Sequence, residues 1–169
     1  MAPMNEKVLD GLNRQINREF FAAYLYLALS AEFDRRSLDG FAVWMRAQAR
    51  EEMDHAMRLV DHLQERGAKV TLDAIEKPDA DFESVLEAFE AALEHESRVT
   101  EWIHELYDLA VEHHDHPEQL VLEWFVTEQV EEEDSIGTIV DQLRMAGDNQ
   151  AAILMLDREL GARGVGGEG

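Results

Sequence analysis

The chain has 169 residues, which suits one domain with a sizeable core, and its 46% hydrophobic and 31% charged residues are the balance of a soluble folded protein rather than a disordered one. A net charge of -22 disfavours binding to nucleic acid or anionic membrane and favours cations, and the lack of cysteine excludes disulfides and thiolate metal sites. There is no signal peptide and no apolar run long enough to span a bilayer, so a cytoplasmic protein is expected.

The first two predicted helices carry apolar residues at helical spacing. One runs from about Asn5, a suitable N-cap, to Arg35. The other follows the Ser37–Gly40 turn and runs to about Arg66, where Gly67 suits the end of a helix. The core-facing positions of the two helices are Leu9, Leu12, Ile16, Phe20, Ala23 and Leu27, followed by Phe41, Met45, Gln48, Glu52, His55, Leu59 and Leu63.

Residues 67 to about 81 are predicted to be extended and to connect the second helix to the third. At about 3.3 Å per residue, this segment reaches roughly 50 Å. A helix of about 27 residues is roughly 40 Å long. The segment is therefore long enough to return along the whole bundle, and such a crossover makes the second and third helices parallel.

Two more long helices and a short one complete the predicted pattern. The third spans about Phe82–His113, and the fourth spans about Pro117–Ala146 with the proline in its first turn. The fifth spans about Asn149–Leu160 and ends at Gly161, before a Gly-rich tail over residues 162–169 that is expected to be disordered. The elements predict an all-α four-helix bundle, with residues 1–161 forming a single domain.

Acidic residues occupy core-facing positions on all four long helices. They are Glu19 on the first, Glu52 with His55 on the second, Glu96 on the third, and Glu128 and Glu132 on the fourth. Unpaired buried carboxylates are costly, and converging anions repel one another. A bound multivalent cation removes both penalties, and carboxylates with one imidazole suit iron or manganese and also accept zinc. Acidic residues at core-facing positions of all four helices together predict a two-metal centre in the bundle core.

The Glu-x-x-His spacing of Glu52 and His55 also occurs at Glu101 and His104. At 100° per residue, these two positions lie about 140° and 80° around the helix from Glu96. They are therefore predicted to be surface residues and not ligands.

The motifs around the core carboxylates resemble those of bacterial-type non-haem ferritins, and the resemblance covers about residues 5 to 160. The matching segments are Asn17-Arg18-Glu19-Phe20-Phe21, Ala49-Arg50-Glu51-Glu52-Met53-Asp54-His55, His95-Glu96 and Trp124-Phe125-Val126-Thr127-Glu128-Gln129-Val130-Glu131-Glu132-Glu133. The resemblance implies a ferritin-like bundle and a hollow homo-oligomeric shell of 24 subunits. It also implies oxidation of Fe(II) to Fe(III) by O2 or H2O2, with storage of the ferric mineral.

The resemblance further implies a role for each candidate residue. Glu19, Glu52 and His55 would hold one iron of a ferroxidase centre. Glu52, Glu96 and Glu132 would hold the second iron, with Glu52 bridging the two. The remaining roles would fall to Gln129 as a hydrogen-bonding neighbour, Tyr26 as an electron donor, and Glu51, Glu128 and Glu131 as a third iron position.

Several alternatives remain open at the level of sequence. A haem-containing bacterioferritin is disfavoured because Gln129 and Glu132 stand where that subfamily has a second Glu-x-x-His, so haem is not expected. Met53 matches the position of the haem methionine, but a packing role is favoured. A shell that binds iron without catalysing its oxidation, and a helical interaction module without metal, are the two other hypotheses.

Two further features suggest contacts beyond one subunit. His113, His114 and His116 lie where the family has channels, although histidines in a polar loop are more often solvated. The segment Ile153–Leu156 is too apolar for a free surface helix and is expected at a subunit contact. The high charge predicts that assembly depends on salt, since like-charged subunits must meet.

Overall fold

The computed structural model describes residues 2–166, with side chains through residue 162, and this part of the chain is built from helices and loops alone. The five helices are α1 Glu6–Arg35, α2 Asp39–Glu65, α3 Val85–Glu112, α4 His116–Ala146 and α5 Gln150–Gly166. The prediction of an all-α protein with four long helices and a fifth shorter one is confirmed. Within residues 2–166, no helix combines the length and apolarity needed to cross a membrane.

Local capping explains where α1 begins and α2 ends. The Asn5 side chain accepts a hydrogen bond of 2.9 Å from the Lys7 amide, as its position before the helix predicts. After α2, Gly67 adopts a φ of 66°, a conformation that favours glycine. The chain then turns back, and the Ala68 amide donates to the Leu63 carbonyl at 2.8 Å.

The third helix begins at Val85, three residues after the start predicted at about Phe82. Ser84 is its N-cap, because its hydroxyl accepts a hydrogen bond of 3.1 Å from the Glu87 amide. Phe82 precedes the helix and packs against Phe33, with ring centroids 4.8 Å apart. Its apolar character therefore reflects core packing in the loop and not a helical position. The Ser-x-x-Glu pattern of residues 84–87 is the signal that marks the true start.

The fifth helix extends to Gly166, so the end predicted at Gly161 is wrong. The helix includes residues 162–166, residues 167–169 lie outside the described part of the chain, and the disordered tail expected over residues 162–169 stays a prediction. Gly161 instead allows close packing. A Cβ atom at this position would lie 2.9 Å from the Cα of Gly40 in α2. The glycine serves the contact between two helices and does not end one.

The first turn of α2 is capped by a residue from α5. Its N-cap, Leu38, offers no side-chain hydrogen bond. The Phe41 amide donates instead to Asp157 Oδ1 at 2.9 Å, and Asp157 is buried. The fifth helix therefore satisfies a backbone donor that the local sequence of α2 leaves unpaired.

Asp157→Ala is expected to destabilise the subunit by about 1 kcal/mol, the usual cost of losing a helix cap. The Phe41 amide would remain buried without a partner, and the contact between α2 and α5 would loosen. Thermal and denaturant unfolding midpoints measure the effect at fixed salt and protein concentration. Asp148→Ala, at an exposed aspartate just before α5, is the control. Equal losses in the two variants would contradict the capping role.

The helices pair as two antiparallel hairpins. Late in α1, the Ser30 hydroxyl donates a hydrogen bond of 2.7 Å to the Ala42 carbonyl, which lies early in α2. Late in α4, Arg144 lies 3.0 Å from Glu90, which lies early in α3. Short turns join the helices within each hairpin, as the sequence spacing predicts.

The connection between the hairpins is the long crossover, and its prediction is confirmed. Phe41 near the start of α2 contacts Phe89 near the start of α3, with ring centroids 5.5 Å apart, so these two helices are parallel. The crossover runs beside α1, where the side-chain amides of Asn13 and Asn17 donate hydrogen bonds to carbonyls of residues 69, 73 and 74. At its far end, Arg36 donates to two carbonyls just before α3.

The hydrophobic core is divided into two clusters along the bundle. The cluster at one end includes Leu29, Phe33, Phe41, Met45, Phe89 and Ile139. The cluster at the other end includes Leu12, Ile16, Leu59, Leu63, Ile103 and Leu122. One predicted core position departs from this pattern, since Leu27 is half exposed.

Candidate metal centre

A layer of polar side chains lies in the middle of the bundle. These residues, called the buried centre below, are Glu19, Tyr26, Glu52, His55, Glu96, Gln129 and Glu132. None of them is more than 4% exposed, and all four long helices contribute. All seven are among the site residues predicted from the sequence, and the fold buries all of them.

Glu19, Glu52 and His55 form the first potential ligand group. One candidate ligand atom from each lies within 4.8 Å of the others. His55 Nδ1 is 3.3 Å from Glu52 Oε2 and 3.8 Å from Glu19 Oε2. Nevertheless His55 Nδ1, Glu19 Oε2 and Glu52 Oε1 are buried with no hydrogen-bond partner. Buried polar atoms without a partner are unusual, and a metal ion would supply one to each.

Two further groups overlap with the first. Glu52, Glu96 and Glu132 form one of them, and His55, Glu128 and Glu132 form the other, each with candidate ligand atoms within 4.8 Å. Glu52, His55 and Glu132 each belong to two of the three groups, and the bridging role that the resemblance implies for Glu52 stays a prediction. Hard carboxylate oxygens with a single imidazole favour iron, manganese or zinc.

Hydrogen bonds hold Glu96, the candidate ligand on α3, from two sides. The Tyr26 hydroxyl donates to Glu96 Oε1 at 2.7 Å, and Gln129 Nε2 donates to Glu96 Oε2 at 3.1 Å. Gln129 Nε2 also lies 3.2 Å from the Thr100 hydroxyl. Outer partners of this kind fix the direction of a metal ligand.

Two supporting residues, Gln15 and Thr100, were not predicted from the sequence. Gln15 is fully buried, and its Nε2 donates to Glu19 Oε1 at 2.8 Å. Thr100 supports Gln129 from α3. Gln15 precedes Glu19 by four residues, and Thr100 follows Glu96 by four. Polar residues one helical turn from a buried carboxylate are the signal that would have found them.

The crowding of carboxylates changes their affinity for protons. Burial raises the pKa of Glu52 well above its usual range, and the charges of Glu19 and Glu96 raise it further. Burial, with Glu96 adding to it, raises the pKa of Glu132 to about 9, and burial also raises the pKa of Glu96. Burial acts on Glu19 in the same direction, but interactions with His55 and Glu52 outweigh it, so the pKa of Glu19 is lowered. The metal-free centre therefore retains protons at neutral pH, and bound cations would displace them.

Binding of the redox-inert cation Zn²⁺ at pH 7 is expected to release protons from the buried centre, because Glu52 and Glu132 are largely protonated without metal. Calorimetry in two buffers with different ionisation enthalpies measures the number released. Glu132→Gln should release fewer protons than the parent. Equal heats in both buffers, after correction for surface binding, would contradict the raised pKa values.

The same raised pKa values set the pH dependence of stability. The folded state binds more protons than the unfolded state between the ordinary glutamate pKa of 4.5 and about 9. Stability of the metal-free protein is therefore expected to fall as pH rises through that interval. Glu132→Gln removes part of the dependence, and unfolding midpoints recorded across this pH range measure it.

The three carboxylates that the resemblance implies for a third iron position differ in burial and in whether they belong to a ligand group. Glu128 is half-buried and 3.8 Å from His55 Nε2, and it belongs to a ligand group. Glu51 is exposed but close enough to contribute to the raised pKa of Glu132. Glu131 is exposed and belongs to none of the ligand groups formed by the described residues. A third position around Glu51, Glu128 and Glu131 stays a prediction.

A groove between α2 and α4 leads to His55. It encloses about 640 Å³ and is lined by acidic residues together with Arg58 and Trp124. The Arg58 guanidinium lies 3.8 Å above the ring of Trp124, which packs edge-on against the His55 ring at 5.4 Å. Met53, on α2, is 43% exposed on the single subunit, and the packing role favoured for it stays a prediction.

The remaining sequence candidates lie away from the buried centre. Glu101 and His104 are exposed on α3, in agreement with their predicted surface position. His114, in the loop before α4, and His116, the first residue of α4, are exposed, while half-buried His113 lies 3.3 Å from the side-chain nitrogen of Asn5. A role for these histidines in a channel stays a prediction.

Comparison with known proteins is consistent with this geometry. The family model described as a ferritin-like domain matches residues 9–146. A bacterial non-heme ferritin of Staphylococcus saprophyticus is 39% identical over 160 residues, which cover 95% of this chain and 96% of the relative. Its counterpart in Staphylococcus aureus is 37% identical with the same coverage. The structure of an open-pore ferritin from the hyperthermophilic archaeon Archaeoglobus fulgidus matches with a TM-score of 0.93 and 47% identity, over 95% of this chain and 98% of that one.

Proposed function

Because this chain belongs to the ferritin family, we propose that it oxidises ferrous iron in the buried centre and stores the ferric product inside a shell made of copies of itself. Iron storage is the function that the family and the fold support. Oxidation of the iron requires a catalytic site in addition, and the buried centre is the candidate for that site in this chain.

The convergence of ligand groups is the observation that carries the proposal. Glu52 is common to two of them, and three of the buried ligand atoms have no hydrogen-bond partner. A bundle stabilised only by packing would place apolar residues at these positions, since buried carboxylates that repel one another reduce stability. Two adjacent ferrous ions with Glu52 between them would satisfy these atoms and cancel the repulsion.

The proposed reaction balances with dioxygen as the oxidant. Two ferrous ions give up one electron each, and the electron pair with two protons converts dioxygen to hydrogen peroxide. Peroxide can serve in the same way, taking two electrons and two protons to give two molecules of water. The protein would hold the two ions at a fixed separation and leave coordination positions open for the oxidant.

Tyr26 is proposed to act as a nearby electron donor. Burial, together with the charge of Glu96, raises the pKa of the Tyr26 phenol well above its ordinary value, so the hydroxyl keeps its proton. If the phenol gives one electron to a partly reduced oxygen species, its proton can pass to Glu96 Oε1, 2.7 Å away. Gln129 would keep Glu96 oriented during that transfer.

The shell is proposed to contain 24 subunits and to reside in the cytoplasm. Apolar side chains that are at least 50% exposed on the single subunit offer surfaces for assembly. They are Tyr24, Leu27, Leu72, Leu120, Val130, Met145 and Met155. Met155 lies in the fifth helix, whose apolar segment is expected at a subunit contact. Since the chain carries a net charge of -22, assembly is proposed to strengthen as salt screens repulsion between subunits.

Stopped-flow absorbance tests the catalytic part of the proposal. Ferrous iron is mixed with the iron-free protein under air at increasing ratios of iron to subunit. A fast rise in ferric absorbance is expected up to two irons per subunit, with slower mineral growth beyond that ratio. A slow rise with no break at two would instead support a shell that binds iron without catalysing its oxidation. Absence of both iron uptake and assembly would favour a helical interaction module.

A further inference from the structure

A pocket of about 320 Å³, called the Arg18 pocket below, opens where α1 and α3 meet the crossover. Its lining comprises Asn17, Arg18, Phe21, Ala74, Glu76, His95, Arg98 and Trp102. Three of these residues carry nitrogen donors suited to anions, namely two guanidinium groups and an imidazole, whereas one carries a carboxylate. Basic side chains therefore outnumber acidic ones in the pocket, whereas the whole chain has 37 acidic and 15 basic side chains apart from histidine.

Arg18 forms no ion pair with any residue that the structure describes. Its guanidinium instead lies 3.9 Å above the Trp102 ring, and its partial burial, with the charge of Arg14 nearby, lowers its pKa. Glu105 acts on it only at longer range. A guanidinium stacked on an aromatic ring is held with its donor edge available, because the ring contacts its flat face.

His95 and Arg98 complete the donor set. The His95 ring packs between Phe21 and Trp102, with ring centroids 5.6 and 6.3 Å away. Its Nε2 is buried and has no hydrogen-bond partner. Arg98 has a loose exposed contact of 3.4 Å with Glu94, which contributes little. An anion in the pocket would give all three groups a partner.

We propose that the Arg18 pocket binds a compact oxyanion with two negative charges, of which inorganic phosphate is the simplest. Arginine side chains bind phosphate through paired N–H groups, and Trp102 would hold one of them in place. A monovalent halide would bind less well, because it cannot contact two guanidinium groups and an imidazole at once. Glu76 on the pocket rim would select against larger polycarboxylates by repulsion. The proposal does not depend on iron oxidation.

Calorimetric titration of the assembled, iron-free protein with inorganic phosphate at pH 7 tests the proposal. Ionic strength is kept constant with chloride, so that only the identity of the anion changes. Binding near one phosphate per subunit is expected, with the total tryptophan fluorescence changing in parallel because Arg18 stacks on Trp102. Sulfate should compete with phosphate. Citrate should compete less well, and stronger binding by citrate would overturn the assignment to compact oxyanions.

Substitutions locate the site. Arg18→Gln and Arg98→Gln are each expected to weaken phosphate binding at least about tenfold, while Arg18→Lys should restore only part of the affinity because it loses the paired donors. Arg144→Gln removes an arginine paired with Glu90 elsewhere on the surface and should leave the affinity unchanged. Circular dichroism and assembly state verify that each variant folds. Absence of saturable phosphate binding, or equal affinities in all four variants, would overturn the proposal.

Discussion

Glu52→Ala is expected to slow the fast phase of iron oxidation by roughly 100-fold or more, since even changes to outer partners of metal ligands cost about 10- to 100-fold. Glu52 belongs to both ligand groups that would hold the two irons, so its loss affects both positions together. His55→Ala is expected to have a similar effect on the first position. Stopped-flow absorbance at two irons per subunit measures both rates.

Loss of the fold would not explain this result. Burial and the neighbouring charges raise the pKa of Glu52, so the folded metal-free protein has to keep this carboxyl protonated at neutral pH, which reduces its stability, and alanine removes that cost. The unfolding midpoint of metal-free Glu52→Ala is expected to equal or exceed that of the parent. Glu101→Ala and His104→Ala are matched controls, because they have the same spacing on an exposed face. If Glu52→Ala and His55→Ala oxidise iron as fast as these controls, the assignment fails.

Glu118→Ala is expected to destabilise the protein by about 3 to 5 kcal/mol, the usual cost of removing one partner from a buried ion pair. Glu118 is fully buried in the first turn of α4. Its Oε1 atom lies 2.9 Å from Arg66 Nε and 3.1 Å from His62 Nε2. Removal of the carboxylate would leave the guanidinium of Arg66 largely buried without its counter-charge. The end of α2 would also lose its attachment to the start of α4.

Unfolding midpoints at fixed salt and protein concentration measure the loss. Glu123→Ala, at an exposed position of the same helix, is the control and should change stability by less than about 0.5 kcal/mol. The double variant Glu118→Ala with Arg66→Ala should be more stable than the sum of the two single losses implies, because it leaves no unpaired charge. Strict additivity would show that the two side chains do not stabilise each other.

The burial of the residues of the buried centre could be predicted from the sequence because they repeat with the helical period. Glu19, Glu52 and Glu96 each replace an apolar residue on the apolar face of their helix. That face is turned toward the core in any packing of the bundle. The same reasoning placed Glu101 and His104 on the surface. Periodicity identifies a face accurately near the middle of a long helix, which is where the buried centre lies.

Features at helix ends could not be predicted in this way. From the local sequence, Glu118 is expected to be a solvated residue in the first turn of α4. It pairs with Arg66 from α2, and the local sequence does not show this contact. Asp157 caps α2 across 116 residues of sequence. Gly161 reads as a helix end but serves close packing against Gly40. Each of these depends on which distant element lies nearby, and local pattern does not contain that information.

Diffraction from crystals soaked anaerobically with ferrous iron, recorded at wavelengths on both sides of the iron absorption edge, tests the central claim most directly. Two anomalous peaks per subunit are expected in the buried centre. One peak should lie among Glu19, Glu52 and His55, and the other among Glu52, Glu96 and Glu132. Crystals of Glu52→Ala should lose both peaks or show them at low occupancy. Iron bound only at surface carboxylates, with none inside the bundle, would contradict the account.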